Sequence, residues 1–382
     1  MSVKLTPDWL HQLETPFLLI DEARYQRNID RLYQRVAHLG SVVRPHLKTL
    51  RSVEAASYLL KNAEHPATVS TLAEAEGFAA AGYRNLLYAV GIAPHKLPRV
   101  ARLMQQGVDV HILLDTPEQA QAVTEFARQH DVIFSVFIEI DCDGHRGGIP
   151  PESEVLLQIA QQLEGKGAVV RGLLAHAGES YNCRSEEAIR VAARNECDAI
   201  RLAARRVREA GIACPILSVG ATPTAHYAEE LEGISEVRAG VFTTFDLVMH
   251  NVGVCQKQDI ALSVVSTVIG HNSEKNWVFV DAGWMAMSRD RGTAAGPVDY
   301  GYGLVCDMQG NPLDVCLSTT NQEHGIIALP ADGSLSVQDF PVGSRVRILP
   351  NHACATAAMH QQYQVLQAEN DQPLSWSRII GW

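Results

Sequence analysis

The sequence predicts an α/β chain in which a (β/α)8 TIM barrel is followed by a mostly β domain. Three observations carry this. Short apolar or β-branched runs alternate with longer amphipathic stretches. The alternation stops after Val254, where short runs separated by turn residues take over. Polar residues gather just behind the apolar runs, where a barrel keeps its functional groups.

The runs that read as strands are Phe17–Ile20, Ser41–Arg44, Thr68–Ser70, Asn85–Val90, Val108–Leu113, Ile133–Ile140, Val169–Ala175, Pro215–Val219 and Glu236–Ala239. Between them lie helical patterns at Glu22–His38, Val53–Leu60, Leu72–Ala81, Pro94–Gln106, Pro117–His130 and Glu186–Ala210. Residues 15–254 are assigned to the barrel, close to the usual barrel length of about 250 residues. Residues 255–382 form the β-rich domain, with strands expected at Ile260–Gly270, Trp277–Asp281, Leu304–Asp307, Gly325–Leu329 and Ser344–Leu349, and residues 1–14 are expected to join it.

The composition of the 382 residues is that of a globular protein, with 20% charged and 46% apolar residues. A formal net charge of −11 argues against a nucleic-acid surface, which needs clustered Lys and Arg, and leaves a small-molecule substrate. The eight cysteines (Cys142, Cys183, Cys197, Cys214, Cys255, Cys306, Cys316 and Cys354) show no CxxC pairing and read as reduced thiols. Lys4, Asp8, His11 and Glu14 interrupt Met1–Glu14, so it does not read as a signal peptide. Val132–Ile140 and Ile260–Gly270 are too short to span a bilayer. A soluble, cytoplasmic protein without membrane contact is expected.

Behind the strands stand Arg44, His46 and Lys48; Ser70 and Thr71; Asp141, His145 and Arg146; His176 and Tyr181; Gly220, Thr222 and Thr224; Arg238 and Gly240. A lysine in a barrel mouth loses solvation, which lowers its pKa and frees an amine able to attack an aldehyde. An ordinary surface lysine at a helix start fits the same place. Gly220-Ala-Thr222-Pro-Thr224 offers backbone N–H groups and hydroxyls to a phosphate, or simply caps a helix. Gly240 lets backbone approach a ligand, so the last two strand ends suit a barrel phosphate site. If the strand before His352 continues, His352 and Cys354 point to one face, a good pair for zinc; a buried cysteine beside a solvent-facing histidine is the plain alternative. Two ligands suit an open catalytic site rather than a closed structural one. Arg289 or Arg291 suits a substrate carboxylate, and either also suits plain solvent. In Asp299-Tyr300-Gly-Tyr302-Gly a tyrosine suits a site, its own or a neighbouring subunit's, and equally suits packing on its own domain.

Six segments occur in order: Pro-His-Leu-Lys48-Thr, Asp141-Cys-Asp-Gly-His-Arg-Gly-Gly, His176-Ala-Gly-Glu-Ser-Tyr181, Ser-Val-Gly220-Ala-Thr-Pro-Thr, Arg238-Ala-Gly and Pro350-Asn-His352-Ala-Cys354-Ala-Thr. Over essentially the whole chain they resemble the D-serine dehydratase and D-threonine aldolase family of fold-type III pyridoxal-phosphate (PLP) enzymes, the alanine racemase-like group. The resemblance implies that Lys48 is the Schiff-base lysine and α-proton base, that His176 stacks on the pyridine ring, and that Arg146 approaches the phenolic oxygen. It implies further that Gly220, Thr222 and Gly240 hold the phosphate, that Arg238 stands at the pyridine nitrogen, and that Tyr181 supplies an active-site hydroxyl. A guanidinium there accepts no proton, so the ring is a weaker electron sink. His352 and Cys354 become ligands of a divalent metal, zinc ahead of manganese because of the thiolate, and His324 becomes a group that orients a ligand or a water there, while Arg289 stays a candidate for the substrate. The implied enzyme is a PLP- and metal-dependent ammonia-lyase that dehydrates a D-3-hydroxy amino acid (D-serine, D-threonine or D-threo-3-hydroxyaspartate) to a 2-oxo acid. Related aldolases resemble His-x-Asp at the metal motif, so Cys354 favours elimination. A D-threonine aldolase, an amino-acid racemase and a non-catalytic PLP-binding protein stay open as alternatives, and a homodimer is implied.

Overall fold

The computed structural model describes residues 7–367, 370 and 372–382. It divides into two compact units. One takes the chain up to Ile29 together with Val241–Arg378; the other takes Asp30–Gly240 together with Ile379–Trp382. The unit boundaries therefore differ from the 15–254 and 255–382 division expected from sequence. Of residues 1–14, expected to join the β-rich part, residues 1–6 lie outside the described residues. Among the described residues no helix is long and apolar enough to cross a membrane.

Strand β1 (Phe17–Asp21) belongs to the first unit and is taken up below. The second unit holds eight parallel strands: β2 (Val42–Pro45), β3 (Ala67–Val69), β4 (Asn85–Gly91), β5 (Asp109–Leu114), β6 (Phe134–Ile140), β7 (Ala168–Ala175), β8 (Ile216–Val219) and β9 (Glu236–Ala239). Each pairs with its neighbour in the order β2-β9-β8-β7-β6-β5-β4-β3. His46 bridges to Thr68, and Leu47 N–H donates to the Thr68 carbonyl at 2.9 Å, which closes the ring. Leu87, Leu113, Phe137 and Leu174 from four successive strands make one apolar cluster. The connecting helices start where the sequence supplies caps. Thr71 accepts from Glu74 N–H, and Thr116 with Gln119 forms a capping box ahead of Pro117–His130.

The barrel also carries buried charge. Arg44 is 1% exposed. Its Nε pairs with Glu236 at 2.8 Å, and Nη1 donates to the Ala67 carbonyl and to Asn85 Oδ1. Ser218 donates to Glu236 at 2.6 Å, and Arg238 donates to Ser218 at 2.7 Å and to the Ala175 carbonyl at 2.6 Å. One hydrogen-bonded chain thus joins β2, β9, β8 and β7.

The first unit is built on β10 (Leu262–Asn272), β11 (Trp277–Val280), β12 (Leu304–Cys306), β13 (Pro312–Thr320), β14 (Gly325–Ala328), β15 (Arg345–Leu349), β16 (Gln362–Leu366) and β17 (Leu374–Ser377). Their order is β11-β14-β13-β12-β15-β10-β1-β16-β17, and β10 also pairs with β11, so six strands return on themselves. The run Phe17–Ile20, expected as a barrel strand, is β1 of this sheet, antiparallel to β10 and parallel to β16. A continuous apolar run says only that both faces are covered, and a central antiparallel strand meets that need as well as a barrel strand does. Trp9, Leu10, Phe17, Leu19 and Val265 form its core cluster.

Replacing Arg44 by Leu strands Glu236 as a buried charge. Urea denaturation should show a loss of about 3–5 kcal/mol, whereas Asp198→Ala, which breaks only an exposed pair with Arg201, should cost under about 1 kcal/mol. Equal losses would contradict a charged barrel interior.

Candidate active site

Lys48 lies in the turn directly behind the closure of the barrel, with its side chain exposed between buried Leu47 and Thr49. Its charge is felt at both His46 and His176, and that of Arg238 at both as well, which places these groups around one mouth. His176 follows β7, and its Nδ1–H donates to the Gly220 carbonyl at 2.7 Å. Burial lowers its pKa to about 4, against the Gly220 bond and helped by Arg238, Lys48 and Arg146, so the ring is neutral at pH 7. The Tyr181 ring stands 6.4 Å from that of His176. Arg146 is 66% exposed and lies 3.7 Å from Glu139, whose carboxyl burial holds above the usual range.

Gly220 has φ +148, and a Cβ there would sit 1.9 Å from the Arg238 carbonyl oxygen, so only glycine fits. A Cβ on Gly240 would lie 3.2 Å from the His46 carbonyl oxygen. Thr222 is buried, and its hydroxyl has no partner among the described residues. A buried hydroxyl left open beside a glycine turn fits a cofactor phosphate. The same mouth supplies an amine, a neutral imidazole and two guanidinium groups, which suits PLP. Arg238 spends both terminal nitrogens inside the barrel, on Ser218 and Ala175.

The sequence reading missed Glu196. It stands on the buried stripe Ile189, Ala193, Glu196, Ile200, Ala203 and Val207 of the helix Glu186–Glu209. An acid in an apolar stripe was the available signal.

In the first unit, β15 ends at Leu349, and His352 directly precedes the short helix Ala353–Ala357 without capping it through its side chain. The expected strand continuation does not occur. His352 and Cys354 meet through a helix start instead, and they share a hydrogen bond. Asp290 Oδ2 contacts His352 Nδ1 at 3.0 Å. Burial opposes charge on this imidazole, yet Asp290, Cys354 and Asp246 raise its pKa to about 11. Surroundings that draw a proton so strongly also draw a metal cation, and imidazole with thiolate is a donor pair for zinc. Among the described residues no group of three or more His, Cys, Asp or Glu could hold a metal, and His352 with Cys354 offers two donors.

Asp246, also missed, is buried and accepts from Met249 N–H and Ala353 N–H, each at 2.9 Å, tying two helix starts together. Asn351 donates to the Asp290 carbonyl at 3.1 Å and the Gly301 carbonyl at 2.7 Å. Arg291 pairs with Asp299 at 2.8 Å, while Arg289 lies over the Trp284 ring and has no ion pair among the described residues. His324 is exposed, and its backbone carbonyl accepts from Asn321 N–H at 2.8 Å. Tyr300 is buried near His250 and Lys257, in its own unit.

Residues 20–247 match the family described as alanine racemase, N-terminal domain, and residues 261–366 the putative serine dehydratase domain. D-threo-3-hydroxyaspartate dehydratase from Delftia sp. (strain HT23) is 48% identical over 98% of this chain and 100% of its own length. The chain belongs to the alanine racemase-like dehydratase family. Membership makes it a PLP-dependent lyase. The solved Delftia enzyme superposes with a TM-score of 0.95 over 98% of this chain and 99% of that one, and a cysteine-to-alanine mutant of it is described as metal-free. An alanine racemase-like protein from Idiomarina loihiensis is 57% identical, with a TM-score of 0.96 over 99% of this chain and 100% of that one. D-threonine aldolase from Arthrobacter sp. is 23% identical over 94% of this chain and 91% of its own.

The depressed His176 pKa has a stability consequence. Between about pH 6.5, its ordinary value, and about 4, the unfolded chain takes up a proton that the folded chain refuses. Folding stability therefore falls as pH drops through that window. His46, His111 and His226 are depressed by burial too. In urea denaturation from pH 7 to 4.5, His176→Gln should show a shallower loss than wild type without abolishing it. An unchanged slope would contradict a neutral, buried His176.

Proposed function

We propose that this family member is a PLP- and zinc-dependent dehydratase of D-3-hydroxy amino acids, with D-threo-3-hydroxyaspartate as its preferred substrate. One observation carries the choice of reaction: an imidazole–thiol pair, His352 and Cys354, backed by Asp290. Loss of hydroxide from the β-carbon is the hardest step, and a Lewis acid offsets it. The metal-free cysteine mutant of the Delftia enzyme supports Cys354 as a ligand.

PLP, when bound, supplies the electron withdrawal that acidifies the α-carbon. A divalent metal, when bound by His352 and Cys354, supplies the Lewis acid for the departing hydroxyl. The chain's own residues do the rest. Lys48 Nζ would hold the cofactor and, once freed as a neutral amine, take the α-proton. His176, neutral and fixed by Gly220, would pack against the ring. Thr222 Oγ1, Gly220 and Gly240 would hold the phosphate, and Arg146 would approach the phenolic oxygen. Arg238 donates inward and offers no acceptor, so it would not take a proton from a ring nitrogen placed beside it. Tyr181 would contribute its hydroxyl near His176.

Arg289 lacks a carboxylate partner among the described residues, which favours it over Arg291 for a substrate carboxylate. His324 would orient a water or a ligand near the metal. We also propose a cytoplasmic homodimer: all eight cysteines are free, as a reducing compartment requires, and fold-type III enzymes resembling this chain are usually dimers.

Lys48→Ala should abolish ammonia release from D-threo-3-hydroxyaspartate. Cys354→Ala, or chelation of wild type, should lower it by about two orders of magnitude or more while the PLP absorbance stays. Turnover that survives both metal removal and Cys354→Ala would overturn the metal reading. Arg289→Gln should raise KM for D-threo-3-hydroxyaspartate more than for D-serine, which lacks the β-carboxylate; equal effects would place that carboxylate elsewhere.

A further inference from the structure

One buried carboxylate joins three parts of the cofactor face. Glu196 is 1% exposed. Its Oε1 accepts from Ala177 N–H at 3.0 Å and from Gly220 N–H at 2.8 Å, and its Oε2 accepts from the Thr224 hydroxyl at 2.8 Å. No lysine or arginine forms an ion pair with it among the described residues. A carboxyl group buried without an ion pair is expensive, and an apolar residue would fill the same helix stripe at less cost.

What it grips explains the expense. Ala177 directly follows His176, and the Gly220 peptide that donates to Glu196 accepts, through its carbonyl, the Nδ1–H of His176. Gly220 carries no side chain with which to fix itself, because any Cβ would strike Arg238. Thr224 Oγ1 in turn accepts from Ala221 N–H at 3.2 Å, two residues from the open Thr222 hydroxyl. The ring that packs on the cofactor and the turn that meets its phosphate are thus referred to one acceptor group.

We propose that Glu196 is a positioning residue for PLP, fixing the His176 ring and the Gly220–Thr224 turn in the arrangement that binds it. The proposal rests on the PLP reading above. Its essential feature is the pattern of acceptors rather than the charge. Glutamine presents one carbonyl oxygen to both N–H groups and donates its amide to Thr224 Oγ1, whose hydroxyl then turns to the Ala221 carbonyl, 3.3 Å away.

The test strips PLP from wild type, Glu196→Gln, Glu196→Asp and Glu196→Ala, then titrates it back by absorbance. Ring-nitrogen NMR follows the His176 tautomer in each. Glu196→Gln should bind within about threefold of wild type, and a folded Glu196→Ala should lose about tenfold or more, the worth of one or two hydrogen bonds. Glu196→Ala should also lose the fixed Nδ1–H tautomer, which a merely structural role would leave in place. Should Glu196→Ala fail to fold, the other two decide: aspartate keeps the charge but falls one methylene short, so it must bind PLP more weakly than glutamine. Unchanged affinity and tautomer in Glu196→Ala, or aspartate binding better than glutamine, would overturn the proposal. Failure of wild type to take up PLP would instead sink the cofactor reading itself.

Discussion

The mouth of the barrel depends on the seam where β2 meets β3. That seam continues beyond the strands through His46 and Leu47, each paired to Thr68, and Lys48 is the next residue out. On the other side of β2 a buried chain of polar groups runs from Arg44 to Glu236, Ser218, Arg238 and the Ala175 carbonyl. Closing the ring and placing the amine are therefore one event. Burying such charges costs free energy, and it is tolerable only when every member is satisfied. A satisfied network also admits few alternatives, which suits groups that must hold fixed positions around a cofactor.

Much of this was legible in the sequence, and the failures have physical causes. Eight of the nine expected barrel runs are barrel strands, because β-branched stretches between amphipathic helices read plainly. Phe17–Ile20 went astray because burial on both faces does not say which sheet does the burying. Strand β13 was missed since it opens on Pro312, alternates weakly and carries Asp314 at φ +56. Strands β16 and β17 were missed because each is short, and Tyr363, Val365 and Trp376 alternate with polar residues over only five and four positions. The site shows the same divide. Candidate residues that lie in a short motif of their own, such as Lys48, His176 and Gly220, stood out. Glu196, Glu236 and Asp246 bind backbone or side chains distant in sequence, and no local pattern announces that.

At His352 and Cys354 the two side chains meet as expected, but by a different geometry. Strand alternation would have set His352 and Cys354 on one face; in the structure the chain has already turned, and a helix start brings them together. Asp246 makes that turn possible by capping one helix and holding the first N–H of the next. Asp290 then takes one nitrogen of His352 and leaves the imidazole oriented. The carboxylates thus hold the backbone and the imidazole around His352 and Cys354.

In the proposed reaction Lys48 takes the α-proton, and a metal held by His352 and Cys354 helps the β-hydroxyl leave a D-3-hydroxy amino acid. The most direct measurement is product identification by NMR after turnover of D-threo-3-hydroxyaspartate by the zinc-loaded enzyme. A four-carbon 2-oxo diacid and ammonia in equal amounts are the expected result. Glycine with a two-carbon aldehyde acid, and no ammonia, would contradict it and show that the same groups cleave the Cα–Cβ bond.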